Sequence, residues 1–153
     1  MEDYIMKIVR KIAINSELVQ KHGSILICDD QSFTGYNHHL YNRQCVAIHA
    51  EEDAINNFLL YCRKKYYADS YIRRKLKRAL LITVRIKNDN IKCSAPCQNC
   101  IKLIREYGIK DIIYSELDVL NKDNIILIQK KIRDVENRPS SGYRWRARIA
   151  LRN

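Results

Sequence analysis

The sequence predicts an α/β fold of three layers, with a mixed sheet of about five strands and helices on both faces. Three observations point there. Short apolar runs alternate with stretches of helical periodicity, in the order α, hairpin, α, β, α, β. The chain has 153 residues, the size of one domain, and 1–153 is expected to fold as one. Hydrophobic residues make up 46% and charged residues 29%, enough for a packed core, with only 4 Gly and 2 Pro to interrupt it. That composition excludes collagen-like, Pro-rich and Gly/Ser-linker architectures.

The elements follow in order. Tyr4, Ile5, Ile8, Val9, Ile12, Leu18 and Val19 recur at helical spacing and Gly23 fits a C′ stop, so a first helix is expected over roughly the first two dozen residues. Residues 24–28 (SILIC) read as a buried strand, Asp29-Asp30 as a turn and 32–36 as the hairpin partner. After a polar loop over 37–44, a second helix is expected from about Ala47, with Ala54, Ile55, Phe58, Leu59 and Cys62 on one face. It continues, or restarts, through a basic segment. Residues 79–86 (ALLITVRI) form the clearest strand and 87–90 its turn. A third helix spans 97–107 with Gly108 at C′, followed by a strand over 111–115. Residues 125–132 (IILIQKKI) fit either helix or strand. Near the C-terminus, Tyr143, Trp145, Ala147, Ile149 and Leu151 alternate with Arg144, Arg146, Arg148, Ala150 and Arg152, the pattern of a strand with one apolar and one arginine face.

The net charge of +11 is localised. Residues 63–78 hold eight cations and one acid, Asp69, and 138–153 hold five arginines and no acid. Outside these two segments the chain carries 15 basic and 16 acidic residues. A localised positive field suits an anionic partner, with a solvated charged face as the alternative. Tyr61, Tyr66, Tyr67 and Tyr71 interleave with the cations of 63–78, the chemistry of single-strand binding, unless the tyrosines pack and the lysines are merely solvated. Lys64, Lys65, Arg73, Arg74, Arg144, Arg146 and Arg148 are the candidate contacts to an anion or nucleic acid. The arginine-faced strand has a plainer reading too, since cations on an edge strand discourage unwanted pairing.

No apolar run approaches the roughly 18 residues of a membrane span, and charges break the apolar residues of the N-terminus. The expectation is an intracellular, cytoplasmic protein. Its six cysteines (28, 45, 62, 93, 97 and 100) then point to thiol or metal chemistry and not to disulfides.

Two short motifs carry chemistry. His49-Ala50-Glu51 stands at the start of the second helix and Pro96-Cys97-Gln98-Asn99-Cys100 at the start of the third. Cysteines three apart lie on one side of a helix, and a helix N-terminus favours thiolate over thiol. One imidazole and two thiolates make a three-ligand zinc site whose fourth position can hold water. Glu51 reaches the same site as His49 only if the pair sits in the first turn, where its carboxylate can carry a proton from water to a leaving amine.

These motifs resemble the zinc-dependent cytidine deaminase superfamily, which includes deoxycytidylate deaminases and tRNA adenosine deaminases. The resemblance covers roughly residues 24–115. It implies Zn²⁺ held by His49, Cys97 and Cys100, Glu51 as proton carrier, and replacement of the amino group at C4 of cytosine or C6 of adenine by water, with loss of ammonia. It also implies substrate contacts at Asn37, within a Gly35-Tyr36-Asn37 similar to the family's G-Y-N, at Ala50, and at Ser94 in the Ser94-Ala95-Pro96-Cys97 loop. His49 as first ligand makes the nucleotide, tRNA and polynucleotide branches more similar to this chain than the free-cytidine branch. Family members often assemble, so a homo-oligomer is expected.

The expected function is thus hydrolysis of a cytosine nucleotide to the uracil nucleotide. One alternative is deamination of cytosine or adenine within RNA or single-stranded DNA; another, from a different class, is a non-catalytic nucleic-acid-binding or scaffold protein retaining the zinc fold. Cys93, four residues before Cys97, would close the zinc site if it were a fourth ligand. His38 and His39 are read as solvated or substrate-lining in preference to a second metal site, and Cys28, Cys45 and Cys62 as core residues.

Overall fold

A computed structural model describes residues 2–40, 43–121 and 124–139. In chain order the elements are α1 (Glu2–Ile14), β1 (Lys21–Cys28), β2 (Gln31–Tyr36), β3 (His38–Leu40), β4 (Arg43–Ile48), α2 (Ala50–Lys64), α3 (Asp69–Leu76), β5 (Leu80–Lys87), β6 (Asn90–Lys92), α4 (Gln98–Glu106), β7 (Asp111–Leu117) and β8 (Ile125–Lys131). The main sheet runs β2-β1-β5-β7-β8, and β6 pairs with β5 beyond the stretch that β7 occupies. Only β5 and β7 are parallel, joined through α4; the other described pairs are antiparallel, so the sheet is mixed as the sequence predicts.

Period-two alternation creates the layers. Leu26, Cys28 and Leu81 pack with Ala54, Ile55, Phe58 and Cys62 of α2, Leu76 of α3, and Ile101 and Ile104 of α4. Their strand neighbours Ile25, Ile82 and Val84 pack on the opposite face with Val9 and Ile12 of α1. Each Val, Leu, Ile or Phe among these, fully buried, contributes about 1.5–3 kcal/mol of transfer free energy. Two glycines let the helices lie directly on the sheet. A Cβ at Gly23 would stand 2.5 Å from the Val9 carbonyl oxygen of α1, and one at Gly35 2.2 Å from the Ala54 nitrogen of α2.

Several sequence expectations are corrected. The first helix stops at Ile14, and Gly23 lies inside β1 as a close-approach residue, not a helix cap. The buried Ser16 hydroxyl accepts the Leu18 N–H at 3.2 Å, a local turn that competes with helix, and Val19 is left 85% exposed. The expected polar loop over 37–44 contains the β3–β4 ribbon, with an irregularity at His39/Leu40. The second helix begins at Ala50, not Ala47, because β4 keeps the backbone extended through Ile48. After α2 the basic segment turns and restarts as α3. Residues 125–131 resolve as strand β8. Gly108 follows α4 at φ +78°, as expected of C′. The arginine-faced strand, with Arg144, Arg146 and Arg148, lies outside the described residues, as does the Cys45 side chain. Among the described residues no helix is long and apolar enough to cross a membrane.

Candidate active site

The N-terminal ends of α2 and α4 meet on one face of the sheet. The residue preceding α2 is His49, extended at φ −82° and ψ 155°, and that preceding α4 is Cys97, extended at φ −74° and ψ 167°. Both are N-cap residues, so their side chains turn across the mouth of the helix instead of following its surface. That is how His49 shares a site with Glu51 two residues later, and Cys97 with Cys100. His49 Nδ1 lies 3.2 Å from Cys100 Sγ and 3.6 Å from Cys97 Sγ. The three ligand atoms lie within 4.8 Å of one another, and among the described residues no other group of His, Cys, Asp and Glu is so arranged.

The electrostatics favour a cation. The Cys100 thiol donates to the Cys97 sulfur, and with His49 alongside this lowers the Cys97 pKa to about 4 despite burial. The Cys97 sulfur in turn raises His49 to about 9, with Glu51 adding to the effect. Cys100 is pushed up by holding its proton against Cys97 and by burial. A convergent imidazole and two sulfurs, with Cys97 shifted toward thiolate, form the N/S donor set that suits Zn²⁺, and three protein donors leave a tetrahedral position open. Cys93 stands outside the cluster, so the described residues do not form a closed Cys₃His site.

Glu51 is 5% exposed and hydrogen-bonds with the Cys100 thiol. Burial raises its carboxyl pKa, with His49 opposing, a setting that suits a group taking up and releasing a proton. α2 is fixed here by Gly35 beneath it and by Asp53, whose carboxylate accepts the Tyr36 N–H at 3.0 Å and lies 3.4 Å from His38 Nε2.

The residues expected to contact substrate are held by bonds and packing within the chain. Asn37 is buried, its Oδ1 accepting the His22 N–H at 2.7 Å and its Nδ2 donating to the Gln20 carbonyl at 2.7 Å. Ala50 is fully buried at the first position of α2. Ser94 Oγ donates to the Thr83 carbonyl at 2.7 Å and accepts the Ser115 N–H at 2.9 Å, while the Ser94 N–H donates to the Ser115 carbonyl at 2.8 Å. These bonds pin the loop before Cys97 to β5 and β7.

Sequence reasoning missed this hydroxyl cluster, which includes the Ser24–Thr83 pair at 2.7 Å across β1 and β5. Its signal was present: polar residues at inward positions of three largely apolar strands, Ser24 in β1, Thr83 in β5 and Ser115 in β7. It also missed His22, whose pKa burial lowers to about 4, close enough to His49 and Cys97 to feel their charge. Lys64, Lys65, Arg73 and Arg74 are exposed at the other end of α2 and on α3, away from this site. Arg138, the first arginine of the C-terminal segment, touches the start of α4 through its backbone, its carbonyl accepting the Gln98 N–H at 2.7 Å, while its guanidinium pairs with Glu116 at 3.6 Å and Glu136 at 3.8 Å.

The profile of the cytidine and deoxycytidylate deaminase zinc-binding region matches residues 1–116. Among solved structures, a cytidine deaminase from Burkholderia pseudomallei is similar with a TM-score of 0.59 at 13% identity, over 92% of this chain and 99% of that one. A cytidine deaminase from Mycobacterium tuberculosis gives a TM-score of 0.53 at 14% identity, over 86% and 92%. At such identities the likeness is one of fold. No curated protein sequence matches the chain.

Proposed function

The chain belongs to the cytidine and deoxycytidylate deaminase zinc-binding family, and we propose that within it the chain is a hydrolytic deaminase converting a cytosine nucleotide to the uracil nucleotide. The observation that carries this reading is the buried Glu51 carboxyl set against the His49, Cys97 and Cys100 cluster. His49, Cys97 and Cys100 would hold Zn²⁺, which when bound makes a water nucleophilic near neutral pH.

The chain's own residues supply the rest. Glu51 takes a proton from the attacking water and passes it to the exocyclic nitrogen as the new C4–O bond forms and the C4–N bond breaks. Water supplies the oxygen of the product; one of its protons leaves on ammonia and the other ends on ring nitrogen N3 of the uracil. Burial keeps bulk water from competing for that proton. The Ser94 network holds the loop that faces the departing amine. Asn37 retains one N–H and one lone pair for the sugar, and the Ala50 N–H is one of the unpaired amides of a helix start.

A nucleotide is favoured over a nucleoside by His49 as first ligand, which makes the nucleotide branches of the family more similar to this chain than the free-cytidine branch. The test is ammonia release from dCMP, CMP, deoxycytidine and cytidine by the zinc-loaded protein. The nucleotides should turn over with the higher kcat/KM. Equal or better turnover of the nucleosides overturns the nucleotide assignment, and no release from any of the four overturns the enzymatic one.

A further inference from the structure

We propose that the last turn of α2 together with α3 forms a binding face for single-stranded nucleic acid, with Tyr66 as its stacking residue. α2 ends in a Schellman turn, the Tyr66 N–H donating to the Arg63 carbonyl at 3.0 Å and the Tyr67 N–H to the Cys62 carbonyl at 3.1 Å. The residue at the left-handed position of such a turn is ordinarily glycine or asparagine. Here it is Tyr66, at φ +55°, and its side chain is 94% exposed. A bulky residue held in a sparsely populated backbone region, with no packing in return, points to contact with something outside the chain.

The surroundings identify what that is. Tyr61, Tyr67 and Tyr71 do pack, their successive ring centres 6.3 and 4.6 Å apart, and Phe33 anchors the ladder 5.3 Å from Tyr61. Lys65 lies 5.9 Å from the Tyr61 ring centre and Arg74 5.4 Å from that of Tyr71. The ladder therefore brings the cations of α2 and α3 onto one surface. Within residues 63–78, Arg63, Lys64, Lys65, Arg73, Arg74 and Lys77 are exposed, while Lys75 and Arg78 pair with Asp29 and Asp69 is the segment's own acid.

Ile72 and Leu76 of α3 are packed against the core, so α3 has no apolar stripe left for a lipid surface. What remains is positive charge around a free aromatic ring, which recognises a phosphate backbone with unstacked bases. A duplex would engage the charge alone. The face lies about 20 Å from the His49 end of α2 by helix rise, and binding is measured without turnover, so this proposal and the catalytic one fail separately.

The full-length, zinc-loaded protein is titrated with labelled oligo-dT and oligo-U of about 12 nucleotides, within the roughly 4–16 that single-strand grooves accommodate. A duplex of the same length and phosphatidylserine vesicles are titrated in parallel. Single strands should bind more tightly than duplex, with log affinity falling against log salt at a slope of roughly −2 to −4, the release expected for about three to six phosphates. Replacing Lys64 and Lys65 by alanine should make that slope shallower by about 1.4. Tyr66→Gly decides the role of the ring: glycine suits the left-handed position, so thermal stability should hold or rise while single-strand affinity falls about tenfold. Tyr66→Phe should keep both. The proposal is overturned by unchanged binding of Tyr66→Gly, by duplex bound as tightly as single strand, by vesicle binding alone, or by no binding at about 50 mM salt.

Discussion

The two ends of α2 are built by opposite rules. At the N-terminal end Ala50 and Glu51 are buried, and the polar groups around them are tied to one another. At the C-terminal end Arg63, Lys64, Lys65 and Tyr66 are exposed. Acids in the first turn and bases in the last both complement the helix dipole. That shared preference explains the signs of the charges but not the difference in burial. Chemistry demands a dry, preorganised cluster; recognition of a long anion demands accessible charge. One helix meets both demands because its ends lie about 20 Å apart.

The contrast can be broken first at the buried end. Cys100→Ser should reduce zinc content, read by metal analysis, to background and take deamination with it, while single-strand binding survives. Gly35→Val should come next. Its side chain would have to displace the α2 backbone at Ala50 and Ala54, with an expected destabilisation of about 1–3 kcal/mol or more in denaturant unfolding and weakened zinc retention. Ser94→Ala removes partners of Thr83 and Ser115 inside the core. We expect a loss of about 1–3 kcal/mol, with zinc content largely kept. At the exposed end, Lys64→Ala with Lys65→Ala should leave stability within about 0.5 kcal/mol of wild type and dCMP turnover unchanged. A large change in either would mean that the two ends are not independent.

The buried end was legible in the sequence because its chemistry needs particular residue types at fixed spacing. His49, Glu51, Cys97 and Cys100 announce themselves, and α2 and α4 place them together as the spacing requires. Its supports were harder to read. Gly35 and Gly23 look like turn or cap residues in one dimension, and only the packed helices show them to be points of close approach. Leu18 and Val19 continued a helical periodicity, yet the helix stops at Ile14 and the Leu18 N–H donates to the Ser16 hydroxyl in a local turn instead. The β3–β4 ribbon was hidden because β3 has only three residues and the apolar run Val46-Ala47-Ile48 of β4 does not alternate, so it reads as the start of the helix that follows. At the exposed end the charge count was plain, but which tyrosine is free was not. Tyr61, Tyr67 and Tyr71 form the ladder and Tyr66 stands out of it, a division made by the turn geometry.

The central claim is that Glu51 moves the proton at a zinc site held by His49, Cys97 and Cys100. It is tested most directly by Glu51→Gln, assayed for ammonia release from dCMP at zinc content matched to the wild type. The account predicts a fall in kcat of about 10²–10⁴-fold, the usual scale of a lost general acid–base, with zinc content and thermal stability retained. Turnover within a few-fold of wild type at equal zinc content would contradict it.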